Sequence, residues 1–382
     1  MDETYTFDLG RVVERVVENK SRGLNGTAKS LYDKVRTNLF ELSGIPVDVP
    51  LISYGEQPDP PIIKNTGKSI LAEVIRKKLE RVGISAVNFH DVLTDDIIGS
   101  NAEVFTNLGL LSSKACDNFG KQTYAKAPVP KNPQGRGDYV SNLWEVGGVQ
   151  PLLKNLGLDL SYLRELARDK SLGEFNIAIR EILEREILPF SFKRTSLSKL
   201  ESALIKDNEL LTEFLSFSGA NGGGDNGIYV VWKETQETQI DSGYRRHFLI
   251  VDQDKVQMID MRARKTVFTG KFEDVVSSER FYSFSLNASS RAFLTYLMAY
   301  DGVNVTGGGS TYNNAMSRFY TQRGFPQPVI TCIIDPDFEA IKLSPLGRLF
   351  GSKENIVRVI ENPETITRTD SGFGQILRSE EK

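Results

Sequence analysis

The chain has 382 residues, 40% hydrophobic and 9% aromatic, which excludes a disordered polymer and leaves room for two domains of roughly 100–200 residues each. Lys and Arg number 47 against 50 Asp and Glu, a net charge of −3, so no basic excess exists to neutralise a long run of nucleic-acid phosphates. Two cysteines, Cys116 and Cys332, exclude a disulfide framework.

The first residues, Met1-Asp2-Glu3-Thr4-Tyr5-Thr6, are acidic and polar, without the basic start and apolar core of a signal peptide. No apolar run approaches the ~18 residues of a membrane span. The expected location is cytoplasmic, with no membrane contact, and protein partners or self-assembly are expected. Sequons at Asn25, Asn287 and Asn304 are therefore read as chance matches.

Residues 7–45 read as two helices, from Val12, Val13, Val16 and Val17 and then Leu31, Val35, Leu39 and Leu42 at helical spacing. Residues 46–65 carry five prolines and read as an extended loop. Thr66-Gly67-Lys68-Ser69 has the ending of a phosphate-binding loop, but Ile62 stands where that loop needs its first glycine, so it reads as a helix start. Ile70, Val74, Ile75 and Leu79 carry that helix to Gly83, and further helix is expected at 101–120. Residues 125–138 form a Pro/Gly-rich loop, and 140–215 return to helix.

At 216–227 the pattern changes through a glycine cluster. Beyond it come the strands Ile228–Trp232, His247–Val251, Val256–Ile259 and Thr266–Phe268, an antiparallel meander. Further strands are expected at 328–334, 339–344 and 355–360. The fold class is α+β: a mainly helical domain over 1–220, an α+β domain with an antiparallel sheet, continuous or split, over 221–370, and a frayed tail over 371–382.

Cys116, His247 and Asp260 occur in the order of a papain-like cysteine hydrolase: a thiolate nucleophile, an imidazole base and an orienting carboxylate. A second pattern is Arg280-Phe-Tyr-Ser283-Phe-Ser285-Leu-Asn287, a strand running into the helix Ser290–Leu297. It is followed by the strand Pro328–Ile334 and the turn Ser352-Lys353-Glu354-Asn355. This order, over residues 266–368, resembles the C-terminal half of arginine-, serine- and glutamate-type mono-ADP-ribosyltransferases. The resemblance implies NAD as substrate, with Ser283 and Ser285 supporting the nicotinamide pocket. It also implies Glu354 stabilising the developing oxocarbenium charge and Arg245 or Arg246 binding the NAD phosphates. Phe284 stands at the family's middle threonine and Asn355 where its catalytic glutamate falls, so the site is expected to be either active or degenerate. The alternative is a non-enzymatic structural or interaction subunit of a larger, even viral, assembly.

Overall fold

The computed structural model describes residues 9–60, 66–131, 138–145, 150–220, 227–234, 241–260, 263–307 and 319–333, with Val357 and Glu361. The strands are β1 Leu51–Glu56, β2 Val87–Val92, β3 Lys193–Ser196, β4 Gly227–Lys233, β5 Tyr244–Asp252, β6 Lys255–Asp260, β7 Lys265–Lys271, β8 Phe281–Ser285, β9 Val303–Gly307 and β10 Ile330–Ile333. Four helices position the site: α1 Gly26–Ser43, α2 Thr66–Arg81, α3 Leu197–Leu204 and α4 Ala288–Met298.

The fold is α+β and, among the described residues, holds two five-stranded sheets. One is parallel throughout, in the order β10-β9-β1-β2-β3. The chain lays down β1, β2 and β3 in one direction, then returns to the other side of β1 for β9 and β10. That is the doubly wound arrangement, with its order reversing between β1 and β9. The second sheet, β7-β6-β5-β4-β8, is antiparallel and enters between β3 and β9.

Burial explains why β1 sits at the centre. In Leu51–Glu56 five of six residues are buried, as a strand covered on both faces requires. Its side chains alternate between two cores. Ile52 and Tyr54 pack into one with Ile70, Val74 and Ile75 of α2 and with Val303 and Val305 of β9. Leu51 and Phe89 pack into the other, with Leu197 and Leu200 of α3, Phe293 and Leu297 of α4, and Ile228, Val230 and Leu249 of the antiparallel sheet. The second core thus glues one sheet to the other. In β5, His247, Leu249 and Val251 are buried while the intervening residues are partly exposed, the period of two of a half-covered strand.

The expected meander is present, extended at both ends of most strands, and β8 and α4 lie where the serine-rich strand and its helix were expected. Four strands depart from expectation, β9 among them, since no strand was expected over Val303–Gly307. The loop expected over 46–65 contains β1, because Pro50 and Pro58 flank the strand rather than interrupt it. β2 and the four-residue β3 also lie where helix or no element was expected. The parallel sheet therefore takes strands from both sides of residue 220. The expected strand at 339–344 lies outside the described residues, and Val357, within the expected 355–360 strand, is helical. No described helix is long and apolar enough to cross a membrane.

Candidate functional site at the strand-order reversal

Where neighbouring parallel strands send their following loops in opposite directions, a crevice opens at their carboxyl ends. In this protein that place is occupied by a cavity of about 380 Å³, within the ~300–1,000 Å³ range of small-molecule sites. Its floor is the parallel sheet: Ser53 and Gly55 of β1, Asp91 of β2, Asn304 and Val305 of β9. Lys68, in the first turn of α2, reaches the same edge and donates to the Gly55 carbonyl at 3.1 Å. Its roof is the start of α4, with Arg291, Thr295 and Tyr296, together with Tyr229 of β4 and Arg246 of β5.

Asp91 is 2% exposed, and Ser53 Oγ donates to its Oδ1 at 3.4 Å. Burial pushes its carboxyl up to about 6, with Lys68, Arg291 and Ser53 pulling it part of the way back. Gly55 makes room for it. A Cβ there would stand 3.0 Å from Asp91 Oδ2, so a side chain at this position would press on the carboxylate. Across β1, Asn304 is 2% exposed and pairs in register with Ser53. Neither its Nδ2 nor its Oδ1 has a hydrogen-bond partner. Buried amides are nearly always satisfied, so this pair of atoms stands out.

The crevice is backed by an ionic network that fastens the antiparallel sheet to the parallel one. Arg291 donates to Asp95 Oδ2 (2.6 Å), Glu201 Oε1 (2.8 Å) and Ser285 Oγ (2.6 Å), and lies 3.4 Å from Asp96 Oδ1. Arg246 donates to Asp96 Oδ1 at 2.6 Å and stacks over the Tyr229 ring at 4.5 Å. Gln57 donates to the other Asp96 oxygen at 3.0 Å. Burial works against ionisation of Asp96, but Arg291 and Arg246 outweigh it and hold its pKa below the usual carboxylate range. Glu201 has the opposite fate: burial, with Asp95 beside it, pushes it up to about 7 despite Arg291. Burial also opposes the charge on Arg291, yet its three carboxylate neighbours raise its pKa well above normal. A cation in the first turn of a helix opposes the helix dipole, and these carboxylates are what make Arg291 tolerable there.

The expected site residues divide between this region and others. Arg246 lines the crevice, and Ser285 joins the network behind it through Asp95 and Arg291. Ser283 is buried on β8 with its hydroxyl unpartnered, and does not line the cavity. Arg245 turns to Asp241, at 2.6 Å, and does not line it either. Glu354 lies outside the described residues. Cys116 packs in the first core with its thiol 3.9 Å from the Ala102 carbonyl, and burial pushes that thiol up to about 11. A nucleophilic thiol needs the reverse shift. His247 instead contacts Glu234, at 3.1 Å.

Asp91, Asn304, Arg291 and Glu201 carried no signal in the sequence reading. An acidic residue at the end of a strand becomes meaningful only when that strand is known to be parallel and next to the reversal point. Asn304 was visible only as a sequon, and its burial on β9 closes it to glycosylation in the folded state. No protein-family model matches the chain, and no curated protein matches it.

Proposed function

We propose that this protein binds a ribose-bearing small molecule, a nucleoside or nucleotide, in the crevice between β1 and β9. The observation that carries the reading is the coincidence of the cavity with the reversal of strand order, the place where doubly wound sheets take up nucleotide ligands. Asp91, near the end of β2, is where an ionised carboxylate accepts from ribose hydroxyls in such sheets. Tyr229 and Tyr296 supply aromatic surface beside it. NAD, implied by the transferase resemblance, belongs to this ligand class; Arg246, expected at its phosphates, lines the crevice but donates to Asp96.

The test is calorimetric titration of the full chain with NAD, ATP and adenosine, beside the Asp91→Asn and Arg245→Ala variants. A ligand of the class binds the wild type. Asp91→Asn weakens it about 10–100-fold, the cost of a hydrogen bond to a charged group. Arg245→Ala, outside the crevice, leaves it unchanged. Affinity falls as pH drops through about 6, where Asp91 takes up a proton. Nicotinamide release from NAD, measured alongside, tests the transferase chemistry itself. If none of the three binds at millimolar concentration, the reading fails and the interaction-subunit alternative gains.

A further inference from the structure

We infer that the crevice selects an adenine nucleoside, with Asn304 reading the base while Asp91 holds the ribose. This rests on the proposed ribose-binding role and adds the identity of the base.

The first ground is the unfilled hydrogen-bonding capacity of Asn304. Its side chain is buried, borders the cavity, and has both a donor and an acceptor atom without a partner. In the ligand-free protein that is a standing cost, since a buried amide that pairs with nothing has lost its water for no return. A ligand that meets both atoms at once removes the cost. Adenine does so on its N7 edge: the 6-amino group donates and N7 accepts, the match a carboxamide makes bidentately. On that edge a 6-oxo purine presents two acceptors, so one atom of Asn304 would face a like group.

The second ground is spacing. Asn304 pairs with Ser53 across one side of β1, and Asp91 pairs with Gly55 across the other. The two residues therefore stand two strands apart on the same face, about 10 Å sideways. A nucleoside spans a comparable distance from its base amine to its ribose diol. The third ground is charge. Arg246 and Arg291 already donate to Asp96, Asp95 and Glu201, and Lys68 donates to Gly55. Base and ribose, rather than phosphate, are thus the groups these residues are arranged to meet, and adenosine alone is a sufficient probe.

The experiment titrates the full chain with adenosine and with inosine, which differ only in the 6-amino and 6-oxo groups. The expected result is adenosine bound about 10-fold or more tightly than inosine. Asn304→Val abolishes that ratio without lowering the melting temperature of the ligand-free protein, because valine suits a strand and leaves no amide unpaired. An asparagine that served only structure would give the opposite: lower stability and an unchanged ratio. Equal binding of the two nucleosides by wild type, or a preference for inosine, overturns the inference while leaving ribose binding intact. Binding of neither overturns the inference, and the ribose-binding reading falls with it only if NAD and ATP also fail to bind. The wild-type comparison needs no variant, so it stands even if Asn304→Val fails to fold.

Discussion

His90 and Asp91 are neighbours on β2 and face opposite sides of the same sheet, and each meets a cluster of buried polar groups of different character. His90 enters a closed one. Its Nε2 lies 2.8 Å from Glu56, its Nδ1 accepts from Arg194 at 2.9 Å, and its ring stacks on Tyr54 at 4.8 Å. Arg180 pairs with the same Glu56 and donates to the Asp59 carbonyl at 2.9 Å, while Arg194 pairs with Glu184. Tyr124 holds the Asp59 carboxylate at 2.7 Å, and Asn176 holds the Pro58 carbonyl at 3.2 Å. This cluster clamps the segment that leaves β1. Asp91 enters the other cluster, which borders a cavity and leaves the Asn304 amide unsatisfied. The closed one fixes the end of β1, and the open one borders the cavity.

That contrast is breakable at named residues. The largest effect is expected at Arg180. Arg180→Leu leaves Glu56 buried without its guanidinium, which costs about 3–5 kcal/mol in stability. Urea denaturation measures it, and a loss under about 1 kcal/mol would mean the closed cluster is not the clamp described.

Next is the acid response of the closed cluster. Burial, together with Arg194 and Arg180, lowers the His90 pKa to about 4 even though Glu56 favours the proton. The folded pKa lies below the unfolded value near 6.5, so stability is full above that value and is lost as pH falls toward about 4. The loss is on the order of 3 kcal/mol. His90→Gln, which keeps an acceptor for Arg194 and a donor for Glu56, flattens this limb in denaturant midpoints taken across pH 4–7.

The open cluster responds with the opposite sign. Asp91 has its pKa raised to about 6, so the fold bears the cost of its charge above that pH and is relieved of it as pH falls toward the unfolded value near 4. Asp91→Asn therefore stabilises the protein at pH 8 by on the order of 2–3 kcal/mol, with the gain fading toward pH 4, while ligand binding weakens. A variant that gains stability as it loses function is the signature of a group kept for binding. The smallest effect is at Asn304, where Val changes ligand-free stability by less than about 1 kcal/mol and upward.

Much of the fold was legible and little of the site. The antiparallel strands announce themselves through β-branched and aromatic runs such as His247-Phe-Leu-Ile-Val251, although the burial period of two at His247, Leu249 and Val251 appears only in the structure. The helix over Thr66–Arg81 announces itself through Ile70, Val74 and Leu79. The parallel strands do not. They are covered on both faces, so their residues do not alternate, and at their ends they carry Ser53, Glu56, His90 and Asp91, polar groups that mimic a loop. The site is built from those ends and from Asn304 and Arg291, 200 or more positions further along the chain. Only the strand order brings them together. Arg246, which the transferase resemblance implied together with Arg245, lines the cavity. Arg245, its neighbour, faces the other way and pairs with Asp241.

The most direct test of the account is a crystal structure of the full chain grown with adenosine at millimolar concentration. The expected density lies over β1, with the ribose against the Asp91 carboxylate and the base edge against the Asn304 amide. An empty crevice at saturating ligand, or adenosine bound elsewhere on the surface, would contradict the claim that the open cluster is a binding site.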